Sequence, residues 1–286
     1  MSPLSRTQHV IWLAGQWMKA AYYERKGDPH EVLRVSELPD PEPGPGEIRV
    51  RVRVSAVNPS DTKTRQGWGG QDTMPFPRIV PHNDGAGEID LVGPGVPEGR
   101  VGERVWVFEA QRDGRAFGTA AEYVVVPAGN AVRLADEASF DDGASLGVPG
   151  MTAHHLLFAD GAIQGKTILV QGGAGSVGHL AVQLARWAGA RVIATVGSSA
   201  QAEVARACGA HHVIDYKAQD VVAEVSRFTG ENAAVDRVVE VAFVKNLDID
   251  AKVLKPSGAI STFMVDEDPS HPPAVNLQQL AAKTPF

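Results

Sequence analysis

The segment Gln171-Gly172-Gly173-Ala174-Gly175-Ser176-Val177-Gly178 constrains the fold of this 286-residue chain more than any other feature. It follows the apolar run Thr167–Gln171, which reads as a strand, and precedes His179–Ala188, which reads as a helix with apolar positions Leu180, Val182, Leu184 and Trp187. A strand, a glycine-rich turn and a helix in that order form the start of a βαβ unit. Gly173, Gly175 and Gly178 supply G-x-G-x-x-G. The first allows a tight turn, the second lets a bound pyrophosphate approach the backbone, and the third lets helix and strand pack closely. Unpaired amides and the dipole at the helix start favour anionic phosphate. The turn from Gly173 through Ala174 and Gly175 to Gly178 therefore predicts a dinucleotide site.

The sequence around the turn supports that reading. After it come strand Arg191–Val196, helix Ala200–Cys208, strand His211–Asp215, helix Val221–Phe228, strand Val235–Val241, a helical segment through Leu254, and strand Ala259–Phe263. Strands alternating with helices of this length imply a parallel, doubly wound sheet with right-handed crossovers. Residues 18–147 differ in texture. Ile48-Arg49-Val50-Arg51-Val52-Arg53-Val54 alternates with period two, which predicts a strand with its arginines in water. Pro39–Gly46 is too proline-rich for helix and reads as a rigid loop, and short strands are expected at Glu88–Val92, Arg104–Phe108, Ala121–Val126 and Ala131–Leu134. The expected organisation is α/β: an extension over 1–17, a β-rich domain over 18–147, a nucleotide-binding domain over 148–270, and the start of an incomplete segment over 271–286.

Composition removes several classes. Net charge is −7, so no basic face for nucleic acid is expected. No apolar run is long enough to span a membrane. A single cysteine, Cys208, excludes an internal disulfide and any multi-cysteine zinc site, and reads as a small buried hydrophobe. Val10–Ala14 is too short, with only Arg6 ahead, for a secretory signal, so residues 1–17 read as an extension of a cytoplasmic protein. The histidine pairs His154-His155 and His211-His212 have diverging side chains, and His82 and His179 read as structural or solvated, so no metal site is expected. Ser145 and Ser176 lack any nucleophile-elbow pattern.

The nucleotide type follows from a missing residue. An NAD site usually carries a carboxylate at the end of the second strand, to grip the ribose 2′-hydroxyl. Here Arg191–Val196 runs into Gly197-Ser198-Ser199-Ala200-Gln201, and the first acid is Glu203. With no carboxylate to repel a 2′-phosphate and two hydroxyls to bind it, NADPH is expected rather than NADH. Ser198 and Ser199 are also ordinary helix caps. Tyr216 and Lys217, after the third strand, can line the same pocket.

Met18–Tyr22, Val57-Asn58-Pro59-Ser60-Asp61, Gly85-Ala86-Gly87, Val101–Val105, Ala121-Glu122-Tyr123, Gly147–Ala153, the glycine turn, Val235–Val241 and Leu254–Gly258 together resemble the medium-chain dehydrogenase/reductases. The resemblance is closest to the zinc-free quinone oxidoreductase (zeta-crystallin-like) branch and covers about residues 18–280. It implies a GroES-like catalytic domain joined to a Rossmann domain, with a small substrate entering between them. It also implies an NADPH-dependent reductase of quinones or α,β-unsaturated carbonyls. A catalytic role falls on Asn58, near the nicotinamide; Lys63, which departs from the family, reads as a catalytic cation near a developing oxyanion or as a solvated surface lysine. Cofactor contacts fall on Asn58, Thr152, Ser176, Val177, Tyr216 and Val241. The ligands of the family's zinc-dependent members are absent near Ala56 and His82-Asn83-Asp84, so a zinc-independent reaction is expected.

The chain departs from that branch at several positions. Lys63 stands where a tyrosine is common, Gln201 replaces a lysine of the 2′-phosphate turn, and Met264-Val265 replaces a Gly-Ser. Relatives continue past Phe286 with a sixth strand that joins two subunits into a homodimer. Its absence is expected to leave the fifth strand as an edge. A nucleotide-binding relative without turnover is the alternative function.

Overall fold

The computed structural model describes residues 16–68, 72–230 and 234–263. The expectations for most of the N-terminal extension, for Met264-Val265 and for residues 271–286 lie outside that range. The chain divides into two compact units, residues 1–147 and 148–286.

The first unit contains β1 (Trp17–Tyr22), α1 (Pro29–Val32), β2 (Arg34–Pro39), β3 (Glu47–Ala56), α2 (Pro59–Gln66), β4 (Asp84–Val92), β5 (Arg104–Val107), β6 (Tyr123–Pro127), β7 (Ala131–Arg133) and α3 (Phe140–Ala144). β1 and β2 form an antiparallel ribbon, and the other strands form an antiparallel sheet in the order β6-β3-β4-β5-β7. One face of this sheet is a core of Ile48, Val50, Ile89, Val105, Val107, Val124 and Val126. Ser55 and Ala56 of β3 pair with Gly85 and Asp84 of β4. That register carries the segment after β3, with Asn58 two residues on, to the start of β4.

The alternation in β3 predicts three arginines in water, and Arg49 departs from it. Arg51 and Arg53 are exposed, whereas Arg49 is 6% exposed. Its guanidinium is held 2.9 Å from Asp90 Oδ2, bonds the Pro41 carbonyl and lies 4.8 Å over the Tyr123 ring. Burial is tolerated because the planar fork finds a carboxylate and a carbonyl together.

The second unit follows with α4 (Gly147–Phe158), β8 (Thr167–Val170), α5 (Ser176–Trp187), β9 (Arg191–Val196), α6 (Ser199–Ala207), β10 (His212–Asp215), α7 (Val221–Thr229), β11 (Val235–Glu240), α8 (Phe243–Val253) and β12 (Leu254–Thr262). All five strands are parallel, in the order β10-β9-β8-β11-β12. β8 is buried along its whole length, as a strand covered on both faces must be. Apolar clusters lie around Ile168, Val170, Val192 and Ala194, and around Leu169, Ile193, Ile214 and Val238. α5 buries Gly178, Ala181, Val182 and Ala185. Trp187, expected on its apolar face, is 83% exposed. The helix approaches the sheet through the smaller side chains Gly178, Ala181, Val182 and Ala185 instead. Cys208 packs beside the first of these clusters, and burial raises its thiol pKa. Among the described residues no helix is long and apolar enough to cross a membrane.

Because Arg49 is buried, removing Asp90 leaves its charge only the more distant Glu42 carboxylate, 3.5 Å away, and the Pro41 carbonyl. Asp90→Ala is expected to cost about 3 kcal/mol of stability, read from urea unfolding, and Arg49→Met/Asp90→Ala to recover a large part of it.

Candidate functional site

The glycine turn leaves the carboxyl end of β8, where ligands of open parallel sheets bind. The expected division of labour among its glycines changes in one respect. Gly172, just outside the motif, makes the tight turn with φ of +68°, whereas Gly173 has no positive φ. At Gly173 a β-carbon would lie 2.6 Å from Ala194 Cβ, so this residue is kept bare by β9. A β-carbon at Gly178 would lie 2.1 Å from the Gly172 carbonyl oxygen, which makes this position the tightest approach of helix to turn. Gly175 is the N-cap of α5 and its own N–H donates to the Gly172 carbonyl at 2.9 Å. It is exposed, as is Ser176, while Ala174 and Val177 are half-buried. Val241, just beyond β11, flanks the turn, with Cγ1 3.2 Å from where a Gly172 β-carbon would stand.

The second-strand turn lies next along the same sheet edge. Ser198 caps α6, its Oγ accepting the Gln201 N–H at 3.3 Å, and Ser199 is the exposed first helical residue. Gln201 turns its oxygen inward, where Oε1 accepts the Gly197 N–H at 2.8 Å. Tyr216 and Lys217 reach back over this turn. A β-carbon at Gly197 would meet Tyr216 Oη at 2.7 Å and Lys217 Cε at 3.2 Å. Thr152 is half-buried in α4, and its hydroxyl donates to the Val148 carbonyl at 2.6 Å.

In the first unit Asn58 caps α2 and is 6% exposed. Its Nδ2 donates to Asp84 Oδ2 at 2.8 Å, and its backbone N–H donates to Asp61 Oδ2 at 2.7 Å. Asp61 Oδ1 also accepts from Asn83 Nδ2 at 3.2 Å. Asp84 is fully buried, and Gly147 is bare because a β-carbon there would stand 2.2 Å from its carboxyl carbon. The Thr119 hydroxyl donates to the Asp84 carbonyl at 2.6 Å, so the Ser55 hydroxyl must donate to Thr119 Oγ1 at 2.8 Å. Ser55 then accepts from His82 Nδ1 at 2.9 Å, which assigns the His82 proton to Nδ1 and leaves Nε2 as an acceptor. His82 has φ of +80°, and burial pushes its pKa down against the opposing charge of Asp61. Lys63, on α2, holds its ammonium 4.2 Å over the Trp68 ring.

Sequence reading singles out Asn58 but not the groups around it. Asp84, Thr119 and Gly147 are far apart in the chain, and no periodicity links them. His82, read as structural or solvated, is a member of the Asn58 network.

Residues 44–136 match the alcohol dehydrogenase GroES-like domain, and residues 176–285 match the zinc-binding dehydrogenase family. Rat quinone oxidoreductase is 31% identical over 246 residues, covering 85% of this chain and 72% of that protein. The trans-enoyl reductase of Penicillium crustosum is 36% identical over 196 residues, covering 63% of this chain and 52% of that protein. A mycobacterial protein complexed with NADPH aligns with a TM-score of 0.74 at 30% identity, covering 93% of this chain and 79% of that one. The chain belongs to the medium-chain dehydrogenase/reductase superfamily, in its quinone oxidoreductase-like branch. It is an oxidoreductase.

The zinc in the name of one matching family has no fitting donor set: among the described residues no three His, Cys, Asp or Glu side chains come together to hold a metal ion. The glycine turn does fit a dinucleotide. It combines an exposed N-cap glycine, open helix-start amides and a neighbouring turn without a carboxylate.

His82 gives this network a pH signature. Its folded pKa lies below the unfolded value, so its contribution to stability is complete above about pH 6.5 and is lost as pH falls through the folded value. His82→Asn tolerates the left-handed backbone without titrating. The melting temperature of the wild type is expected to fall more steeply than that of His82→Asn below that pH.

Proposed function

We propose that the protein is an NADPH-dependent, zinc-independent reductase that transfers hydride to quinones or α,β-unsaturated carbonyls. The observation that carries the cofactor assignment is the second-strand turn. It pairs two serines and no carboxylate with a cation, Lys217, whose side chain lies against Gly197. The lysine expected at position 201 is a glutamine turned inward onto the Gly197 amide, and we assign its role to Lys217 from the far side of the pocket. The Ser198 hydroxyl, its oxygen already accepting from Gln201, keeps its hydrogen for a phosphate oxygen. Tyr216 supplies an aromatic face for the adenosine end, and Ser176 and Val177 cover the pyrophosphate at the start of α5.

Bound there, the cofactor supplies a hydride. The protein's share of the work is orientation and hydrogen bonding, because hydride arriving at an electron-poor ring or β-carbon places negative charge on a carbonyl oxygen. We assign donor roles to Asn58, which keeps one amide N–H after Asp84 takes the other, and to the Lys63 ammonium. Thr152 and Val241 complete the cofactor contacts. Rat quinone oxidoreductase and the fungal trans-enoyl reductase bear names that support this substrate class.

NADPH and NADH titrated against the purified chain test the cofactor assignment. NADPH is expected to bind more tightly, and Lys217→Met to weaken it about tenfold while leaving NADH unchanged. Gly175→Ala has 3.3 Å to the nearest atom, so it should keep the fold while weakening both nucleotides. Gly178→Ala should unfold the turn itself. NADPH oxidation with a quinone and enone panel tests the reaction, and Asn58→Ala should lower turnover more than it lowers cofactor affinity. Saturable binding with no turnover on the whole panel would favour a binding protein over an enzyme.

A further inference from the structure

Two buried acids of the second unit have no part in the reading above. Glu240 ends β11 and Asp250 lies in α8, one helical turn beyond Asn246, whose amide bonds Glu240; both acids are fully buried. Glu240 Oε1 accepts from the Ala242 N–H and from Asn246 Nδ2 at 3.0 Å. Asp250 Oδ1 accepts from Gln171 Nε2 at 3.0 Å. The remaining oxygens, Glu240 Oε2 and Asp250 Oδ2, are buried and receive no donor from any other described residue. Two bare carboxylates in contact inside a core would repel strongly, whereas one proton between them turns the repulsion into a hydrogen bond. Two donors already stabilise charge on Glu240, so the proton belongs on Asp250.

The hydrogen bonds continue from this pair to the glycine turn in one direction only. The Gly172 N–H can only donate, and it does so to Thr195 Oγ1 at 3.1 Å. Thr195 spends its single hydrogen on Gln171 Oε1 at 2.7 Å. The amide end of Gln171 must then face an acceptor, and it meets Asp250. Each polarity is dictated by its neighbour, from α8 through the end of β8 and across β9 to the amide of the residue that makes the tight turn.

We propose that Glu240 and Asp250 share a single proton and act as a positioning pair for the glycine turn, holding the Gly172 amide through Gln171 and Thr195 and thereby setting dinucleotide affinity. The affinity part rests on the cofactor reading above; the shared proton does not. Burial, followed by the hydrogen bond and charge of Glu240, pushes Asp250 up to about 9. On the elements packed around the pair, Arg227 pairs with Glu224 on α7, Lys255 of β12 with Asp236, and Arg237 of β11 with Asp160. α8 itself carries Lys245, Asp248 and Lys252. The charge acting on Asp250 is that of Glu240.

The folded pKa of Asp250 lies above the unfolded value near 3.9, so its contribution to stability is complete at acid pH and declines as pH rises toward about 9. Asp250→Asn reproduces the protonated form: its carbonyl accepts from Gln171 and its amide donates to Glu240, with no titration. Two measurements on the full chain test the idea. Between about pH 5 and pH 9 the melting temperature of Asp250→Asn should rise relative to wild type by about 4 °C or more. Between about pH 7 and pH 9.5 wild-type affinity for NADPH should fall about fivefold relative to that of Asp250→Asn. Thr195→Val should weaken binding about fivefold at neutral pH, with Thr195→Ser restoring it.

Superimposable pH profiles for wild type and Asp250→Asn in both measurements would overturn the shared proton. A widening gap in melting temperature without a change in relative affinity would uphold the proton and overturn its role at the turn. Failure of both proteins to bind NADPH at any pH would overturn the cofactor reading and the affinity role with it. The shared proton would then stand or fall on the melting curves alone.

Discussion

The approach of Gly178 to the Gly172 carbonyl is the contact on which the second unit depends. A β-carbon has no space in that gap, so the first turn of α5 can rest directly on the end of β8. From there the helix continues across the sheet on Ala181, Val182 and Ala185. The same approach leaves the helix-start amides open at the carboxyl edge of a parallel sheet. The proposed phosphate binding and the close packing thus draw on one backbone geometry.

Polar groups in the two units are organised by a common rule. Each carries a fully buried carboxyl group, Asp84 in the first and the Glu240–Asp250 pair in the second, connected by hydrogen bonds to Asn58 or to Gln171 beside the glycine turn. Burying an acid is costly unless donors or a proton compensate it. Asp84 holds the side chain of Asn58, and Asp250 holds Gln171 at the root of the glycine turn. His82 belongs to the same pattern, with a left-handed backbone and a ring bonded to Ser55. Strain and buried charge of this kind are characteristic of sites that must keep one geometry.

Local patterns were enough to identify the second unit's alternating strands and helices, the glycine turn and the carboxylate-free second turn, because each depends on residues close in the chain. They were less reliable wherever a side chain's surroundings come from elsewhere. Arg49 alternates with valines like its neighbours, yet it is buried because Asp90, Pro41 and Tyr123 converge on it. Trp187 fits a helical apolar stripe, yet it faces outward, while α5 packs on the sheet through Gly178, Ala181, Val182 and Ala185. Gly173 matches the first position of a turn motif, yet Gly172 makes the turn, and Gly173 is bare because of Ala194 on the next strand.

By itself, then, the sequence determined the α/β class and the place of the glycine turn through periodicity and short-range spacing, and singled out Asn58 through its resemblance to a family motif. Only the tertiary structure decided which polar groups meet. Ser55, His82, Asp84 and Thr119 come together through the pairing of β3 with β4 and a loop that crosses them. Gln171, Thr195, Glu240 and Asp250 come together because β9, β8 and β11 are neighbours in the sheet and α8 packs back against β11. Hydrogen bonds between residues dozens of positions apart leave no local trace. Their partners are chosen by strand order and register, which arise when the whole sheet assembles.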